Sequence, residues 1–177
     1  MLTDKLVAFV DVGAPLSLIS GVGSVYSNVI DLAGVGAGNA PPNIIGNASL
    51  FGEDVGIGSH RPELNVTIGD AVVSGGGGTV NFKLEAAPDT AGTYQPGTYT
   101  VLAETGPITA ANLTAGQIVA RFPFLPAFPA TLRPRYLRIT ATIATASVTA
   151  GSIASALVTT YRDDQANKQA AANYSVA

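Results

Sequence analysis

The chain has a single histidine, His60, and neither cysteine nor tryptophan among its 177 residues. A hydrolase that works through a Ser-His-Asp triad would have to use His60 as its base. That residue stands beside Arg61 and Pro62 at the end of a glycine-rich stretch. No Gly-x-Ser-x-Gly elbow accompanies it, and a solvated loop histidine is the commoner reading. Glu53, Asp54, His60 and Glu63 supply oxygen and nitrogen donors within one short segment. Their spacing matches no zinc or calcium pattern, and a solvated acidic loop accounts for them. Gly21-Val22-Gly23 and Gly34-Val35-Gly36 are fragments of a dinucleotide fingerprint; they lack the third glycine and the following helix. No carboxylate pair is marked out for glycoside hydrolysis. The absence of cysteine excludes a disulfide framework, an iron–sulfur site and a Cys-ligated zinc. The expectation is a protein that is not an enzyme and has no cofactor and no metal site.

Two clusters point to contact with a partner. Arg121, Arg133, Arg135 and Arg138 are four of the nine basic residues and fall in one segment. Arginine pairs bidentately with carboxylates, so the group suits docking onto an acidic partner surface. Pairing within the chain, with Glu85 or Glu104, stands beside that reading on equal terms. Phe122, Phe124 and Phe128 are three of the six phenylalanines and lie among three prolines with Leu125. Rigid extended segments that carry aromatics make good interface anchors. The same segment also suits a crossover that seals the end of a sandwich.

The elements that must position these residues read as strands. From Tyr136 to Ile143 the chain alternates, with Leu137, Ile139, Ala141 and Ile143 on one face and Tyr136, Arg138, Thr140 and Thr142 on the other. This period of two marks a half-buried strand. A turn-prone run from Ser147 to Gly151 follows, then β-formers from Ile153 to Tyr161, so the pattern predicts a long antiparallel hairpin over 135–161. Glu63–Ile68 and Thr79–Ala86 alternate in the same way, and the glycines at 75–78 predict a hairpin pairing Leu64–Ile68 with Val80–Leu84. Further strands are expected at Leu6–Val12, Ser24–Leu32, Thr98–Glu104 and Ile118–Phe124. Thr109–Gln117 is the one helix candidate, with Thr109 as its cap and Gly116 at its end. Gly34–Gly58 is dense in glycine and proline and reads as a long loop. The tail from Asp163 to Ala177 has no apolar face.

Length suits one domain, 1–177, with an N-terminal arm over 1–34, a loop over 34–62 and a tail over 163–177. Charged residues make up only 12% of the chain, against about 25% for an average soluble domain. A surface so poor in charge suits a subunit packed among neighbours. Net charge is −3, with no basic stripe for nucleic acid. No run approaches the ~18 apolar residues of a membrane span. Met1 to Val12 lacks the apolar core and cleavage site of a secretory signal, so synthesis in a cytoplasm is expected and the Asn-x-Ser/Thr matches are chance. Strands separated by Gly/Pro turns argue an all-β antiparallel sandwich or small barrel with one short helix. The pattern does not choose between an immunoglobulin-like sandwich and a jelly roll, although no Cys or Trp supports the former.

The ends of the chain resemble a known family. Arg135-Tyr136-Leu137-Arg138-Ile139, the turn Val148-Thr149-Ala150-Gly151, and Asp163-Asp164-Gln165 are similar to the end of tailed-phage capsid cement proteins of the Bbp16-like type. Met1-Leu2-Thr3-Asp4 and Tyr26-Ser27-Asn28-Val29-Ile30-Asp31-Leu32 are similar to the family's opening, with its SxNxIDL segment. The resemblance covers roughly the first 30 and last 45 residues, and none of these motifs is catalytic. It implies a jelly roll with long glycine-rich loops and a structural virion role. The protein would bind the outside of the shell, stabilise it by bridging major capsid protein subunits, and associate with itself as a dimer or trimer, without nucleic acid or membrane as partner. Arg121, Phe122, Phe124, Phe128, Arg133, Arg135 and Arg138 are then the candidate contact residues. A jelly-roll module that binds carbohydrate or adheres to a host from the virion surface is the alternative; Tyr26, Tyr94, Tyr99 and the His60 loop are its only candidate ligand groups.

Overall fold

The structure is a computed structural model, and it describes residues 8–31, 62–90, 95–123 and 134–160. The chain order is β1 (Ala8–Val10), β2 (Leu16–Ser17), β3 (Gly23–Tyr26), β4 (Ile30–Asp31), β5 (Pro62–Ile68), β6 (Val73–Ser74), β7 (Thr79–Ala87), β8 (Thr100–Thr109), a single 3-10 turn at Ala110–Asn112, β9 (Ile118–Pro123), β10 (Tyr136–Ala144), β11 (Val148–Ala150) and β12 (Ser152–Thr160). Sheet one has the order β1-β12-β5-β9, with β2 also beside β12. Sheet two has the order β3-β10-β7-β8, with β4 also beside β10. All pairings between these strands are antiparallel.

From β1 the chain crosses to β3–β4, returns to β5, crosses to β7, stays in sheet two for β8, then visits β9, β10 and β12 in alternate sheets. Two five-stranded layers wound in this order form a jelly roll. The alternating residues explain the layers. Leu64, Val66 and Ile68 on β5 meet Val80, Phe82 and Leu84 on β7 and Leu137, Ile139, Ala141 and Ile143 on β10 in one buried core. The opposite faces carry Asn65 and Thr67 on β5, Lys83 on β7, and Arg138 and Thr142 on β10, all partly exposed.

Two expected hairpins are corrected. β10 and β12 do not pair: β10 lies between β7 and β3–β4, whereas β12 lies between β5 and β1–β2. Likewise β5 pairs with β12 and β9, and β7 with β10 and β8. The physical reason is the same in both cases. Each strand has one apolar face, and facing sheets bury both against each other, while a hairpin would leave a shared apolar face needing a further layer. The connectors are also too long and too well bonded for tight hairpin turns. β11 and β6 pair with each other, and Ser20 pairs with Val148. Gly151 takes φ +135°, and a Cβ there would meet Val72 Cγ2 at 2.9 Å.

The expected helix at Thr109–Gln117 is corrected to a 3-10 turn over Ala110–Asn112. Thr109 does occupy the cap position, but its side chain makes no capping bond. Leu113 is buried in the core just after the turn, and Gly116, at φ +78°, belongs to the following turn. The strand expected over Ser24–Leu32 is divided into β3 and β4. Tyr26 opposes Thr140 and Ile30 opposes Leu137, so the outer strand carries one extra residue. There the Ser27 hydroxyl accepts from the Ile139 amide at 2.8 Å and donates to the Asn28 carbonyl at 2.8 Å. A similar device serves β8, where the Phe82 amide donates to Thr105 Oγ1 at 3.2 Å beside a register shift.

The two ends of the sandwich differ. Thr160 lies beside Pro62, Glu63 beside Pro123, and Tyr136 beside Asp31 and Ala87. The strand ends bordering residues 32–61, 91–94, 124–133 and 161–177 thus share one end, here the junction pole. The opposite ribbon pole is formed by β6, β11, the 3-10 turn and the Ser20–Val148 bridge. No helix among the described residues is long and apolar enough to cross a membrane.

Candidate functional site

The outer face of sheet two, toward the junction pole, gathers most of the charged and aromatic groups that the structure describes. The cross-strand register explains the gathering: Arg138 on β10 stands directly opposite Glu85 on β7, and Tyr26 on β3 stands beside Thr140. Arg138 Nε donates to Glu85 Oε2 at 2.8 Å, and the Thr140 hydroxyl donates to the same oxygen at 2.7 Å. The pair is largely withdrawn from solvent, with the side chains 20% and 12% exposed. The guanidinium also lies over two rings, 4.2 Å from the Tyr26 centroid and 3.6 Å from that of Tyr99. Tyr26 approaches from the β3 side and Tyr99 from the β8 side, so the cation is stacked on both faces. Each such contact contributes about 0.5–2 kcal/mol depending on desolvation.

A second arginine completes the group. Arg135 Nε and Nη2 donate to the two oxygens of Asp31, each at 2.9 Å, and Nη1 donates to Asp89 Oδ2 at 3.2 Å. The fork geometry matches a carboxylate on two parallel bonds. Hydrogen bonding to Asp31 raises the Arg135 pKa further above its ordinary value. Its guanidinium carbon sits 5.1 Å from the centroid of Tyr136, a buried residue whose hydroxyl has no hydrogen-bond partner among the described residues. Burial raises the pKa of Tyr136, against the lowering effect of Arg135. Burial likewise raises that of Tyr99, against the lowering effect of Arg138, and the Tyr99 hydroxyl is also buried with no partner among the described residues.

The residues expected to touch a partner separate into three groups. Arg135 and Arg138 come together on this face, but their guanidiniums are engaged within the chain. Glu85, named from the sequence as an internal acceptor, does take Arg138; Glu104 instead accepts from the Asn81 amide at 2.9 Å. Arg121 lies on β9 in the other sheet, opposite Asn65, and is exposed. Phe122 is corrected: it opposes Leu64 and is only 5% exposed, so it is a core side chain and not a surface anchor. The alternation of β9 dictates this, because Ala120 and Phe122 share the inner face while Arg121 points out. Phe124, Phe128 and Arg133 lie outside the described residues, as do Tyr94, His60, Glu53 and Asp54. Of the acidic-loop ligands only Glu63 is described, on β5. Among the described residues no three His, Asp or Glu side chains converge as a metal site would require.

Asp31 and Asp89 were not legible as site residues. Asp31 is separated from Arg135 by 104 positions, and only the pairing of β4 with β10 brings them together. A family model described as Bbp16 matches residues 23–158, from the start of β3 to the body of β12. No curated protein matches the chain.

Proposed function

The chain belongs to the Bbp16 family, a phage-related family, and from that premise we propose that it is a capsid cement protein, which binds the outer surface of a phage shell and ties neighbouring major capsid subunits together. The observation that carries this reading is the family match itself, which spans nearly the whole sandwich and points to a phage structural protein. Two features of the molecule support it. The chain is only 12% charged, which suits a subunit that spends its life against neighbours. The segments in which contacts are expected, 34–62, 124–133 and the tail, all join the sandwich at the junction pole, so one side can be offered to a shell.

The task requires differential binding and no catalytic group. A ligand with affinity for the assembled lattice and none for free subunits stabilises the lattice by RT ln(1 + [L]/Kd) at each site. Many symmetry-related copies, each joined to more than one subunit, turn modest affinities into firm attachment. Among the arginines, the exposed Arg121 and the sequence neighbour of the sandwich, Arg133, are the ones to meet acidic groups on the shell. Arg135 and Arg138 hold the fold.

Shells assembled with and without the protein provide the test. Decorated shells should melt at a higher temperature, and the protein should co-sediment with them. Arg121→Glu with Arg133→Glu should weaken co-sedimentation while leaving the circular dichroism spectrum unchanged. Equal melting temperatures with and without bound protein would end the cement reading.

A further inference from the structure

The two flanks of the sandwich differ in how their sheet edges are treated. On one flank β8 carries Pro107 and two register shifts, and β9 carries Arg121 and ends at Pro123. Prolines, irregularities and charges of this kind keep an edge from taking up another strand. On the other flank β3 has β10 as its one neighbour. Its four residues keep regular register with β10 and include neither proline nor charge. No charged residue stands between Asp11 and Asp31. Five of the eight large apolar side chains exposed among the described residues, Val12, Ile19, Val22, Tyr26 and Val29, fall in that run.

Hydrogen bonds just past β3 fix which of its backbone groups face out. Along a strand successive amides point to opposite edges. The Ser27 amide donates to the Ile139 carbonyl of β10 at 2.9 Å, and the Asn28 amide, pointing the other way, donates to the Phe9 carbonyl at 3.1 Å. By the same alternation Val25 bonds toward β10, while the amides and carbonyls of Ser24 and Tyr26 face away from it. No described residue bonds them there. A Cβ at Gly21 or Gly23 would meet nothing within 4 Å, so nothing crowds the chain at the start of this edge. Where β3 ends, a depression of about 130 Å³ begins, lined by Tyr26, Ser27 and Asn28 on one side and by Phe9 and Pro15 among others on the other. Unpaired amides and carbonyls at alternate residues are the pattern that an added strand completes.

We propose that β3 takes up an extended, uncharged segment of a major capsid subunit as a further strand of sheet two, bonded through the backbone of Ser24 and Tyr26. This inference rests on the cement reading and names a contact for it. A charged segment would lose its hydration beside an edge that offers it no counter-charge. A second copy is the weaker occupant. Four residues extend only about 13 Å, and pairing two such strands falls far short of the about 1,200 Å² that a stable dimer buries. A capsid segment needs no such area, because many copies on one lattice add their modest affinities.

The experiment compares hydrogen exchange over residues 20–28, read by mass spectrometry, in the full chain alone and bound to shells of major capsid protein. Binding should slow exchange in this stretch by roughly tenfold or more. Ser24→Pro removes an outward amide that the fold does not use, and Gly23 before it has no Cβ to clash with the ring. It should weaken co-sedimentation with shells by roughly tenfold and leave the circular dichroism spectrum unchanged. Ser24→Ala keeps the amide and should bind as the parent does. If Ser24→Pro does not fold, the exchange comparison carries the test together with Val22→Lys, which sets a charge beside the edge. Shell binding without slowed exchange, or a folded Ser24→Pro that binds as tightly as the parent, would overturn the added strand and leave the cement reading standing. A parent chain that binds no shells would remove both. Slowed exchange that appears with rising protein concentration and without shells would assign the edge to a second copy and overturn the capsid segment.

Discussion

Glu85 shows what one side chain does on the face of sheet two. It is buried to 9% exposure and accepts from both Arg138 and Thr140 through one oxygen. Removing it leaves a guanidinium and a hydroxyl desolvated without their acceptor. Loss of one partner from a withdrawn ion pair costs about 3–5 kcal/mol. Glu85→Ala should therefore lower the midpoint of thermal unfolding by roughly 6–20 °C for a domain of this size, with a smaller fall for Glu85→Gln. The two tyrosines make a second prediction at this scale. Burial raises the pKa of Tyr99 and of Tyr136 above the ordinary 10.0. Both hydroxyls thus hold their protons more tightly in the folded state than in the unfolded one. The stability that goes with this is fully present below pH 10.0 and is lost as pH rises through the folded values. Urea midpoints should be flat through neutral pH and fall above that point. Tyrosinate absorbance should show these two residues titrating above the ordinary value; a single unshifted titration of all tyrosines would contradict this account.

At the scale of elements, the alternation in the sequence is a sound guide to which residues face inward and a poor guide to which strands meet. Leu137, Ile139, Ala141 and Ile143 all prove buried, because a period of two is a local property of one strand. The partner of that strand is set by long-range packing, which leaves no local mark, and so the strands expected to form a hairpin, β10 and β12, stand in opposite sheets. The helix expected at Thr109–Gln117 fails for a related reason: Leu113 is drawn into the core, and one 3-10 turn brings it there. The connectors hold the information that separates a hairpin from a crossover. Gly151 has φ +135° and Val72 close against the space a side chain would need. Gly151→Ala should cost about 1–3 kcal/mol in strain and displacement. At Gly75 a Cβ would enter open space, with nothing within 4 Å, and Gly75→Ala should stay within about 0.5 kcal/mol of the parent. Chemical denaturation of the two variants side by side checks both. Equal stabilities would mean that the β11 crossover is not held where Gly151 places it.

For the whole molecule the open question of design is how the sandwich guards its edges. β8 has two register shifts, a glycine at φ +74° and Pro107, and β9 carries Arg121 and ends at Pro123. Bulges, prolines and charges of this kind keep sheet edges from pairing with other chains. Self-association by edge-to-edge addition is thus discouraged on that side, and the expected dimer or trimer must draw on contacts other than the β8 and β9 edges. The phenylalanines make these two demands separable. Phe122 is buried opposite Leu64, and Phe122→Ala should cost about 3–5 kcal/mol of folding stability. Phe124 and Phe128 follow β9 in the sequence, and we propose that they serve association. Phe124→Asp with Phe128→Asp should convert the oligomer to a monomer in sedimentation equilibrium without moving the unfolding midpoint of the sandwich. Closed symmetry would then make shell binding depend on the oligomer, since a dimer or trimer engages several subunits at once and a monomer engages fewer. The double variant should accordingly lose most of its co-sedimentation with shells. A parent chain that is monomeric at every concentration and still stabilises shells would remove self-association from the mechanism and leave each copy to bridge capsid subunits alone.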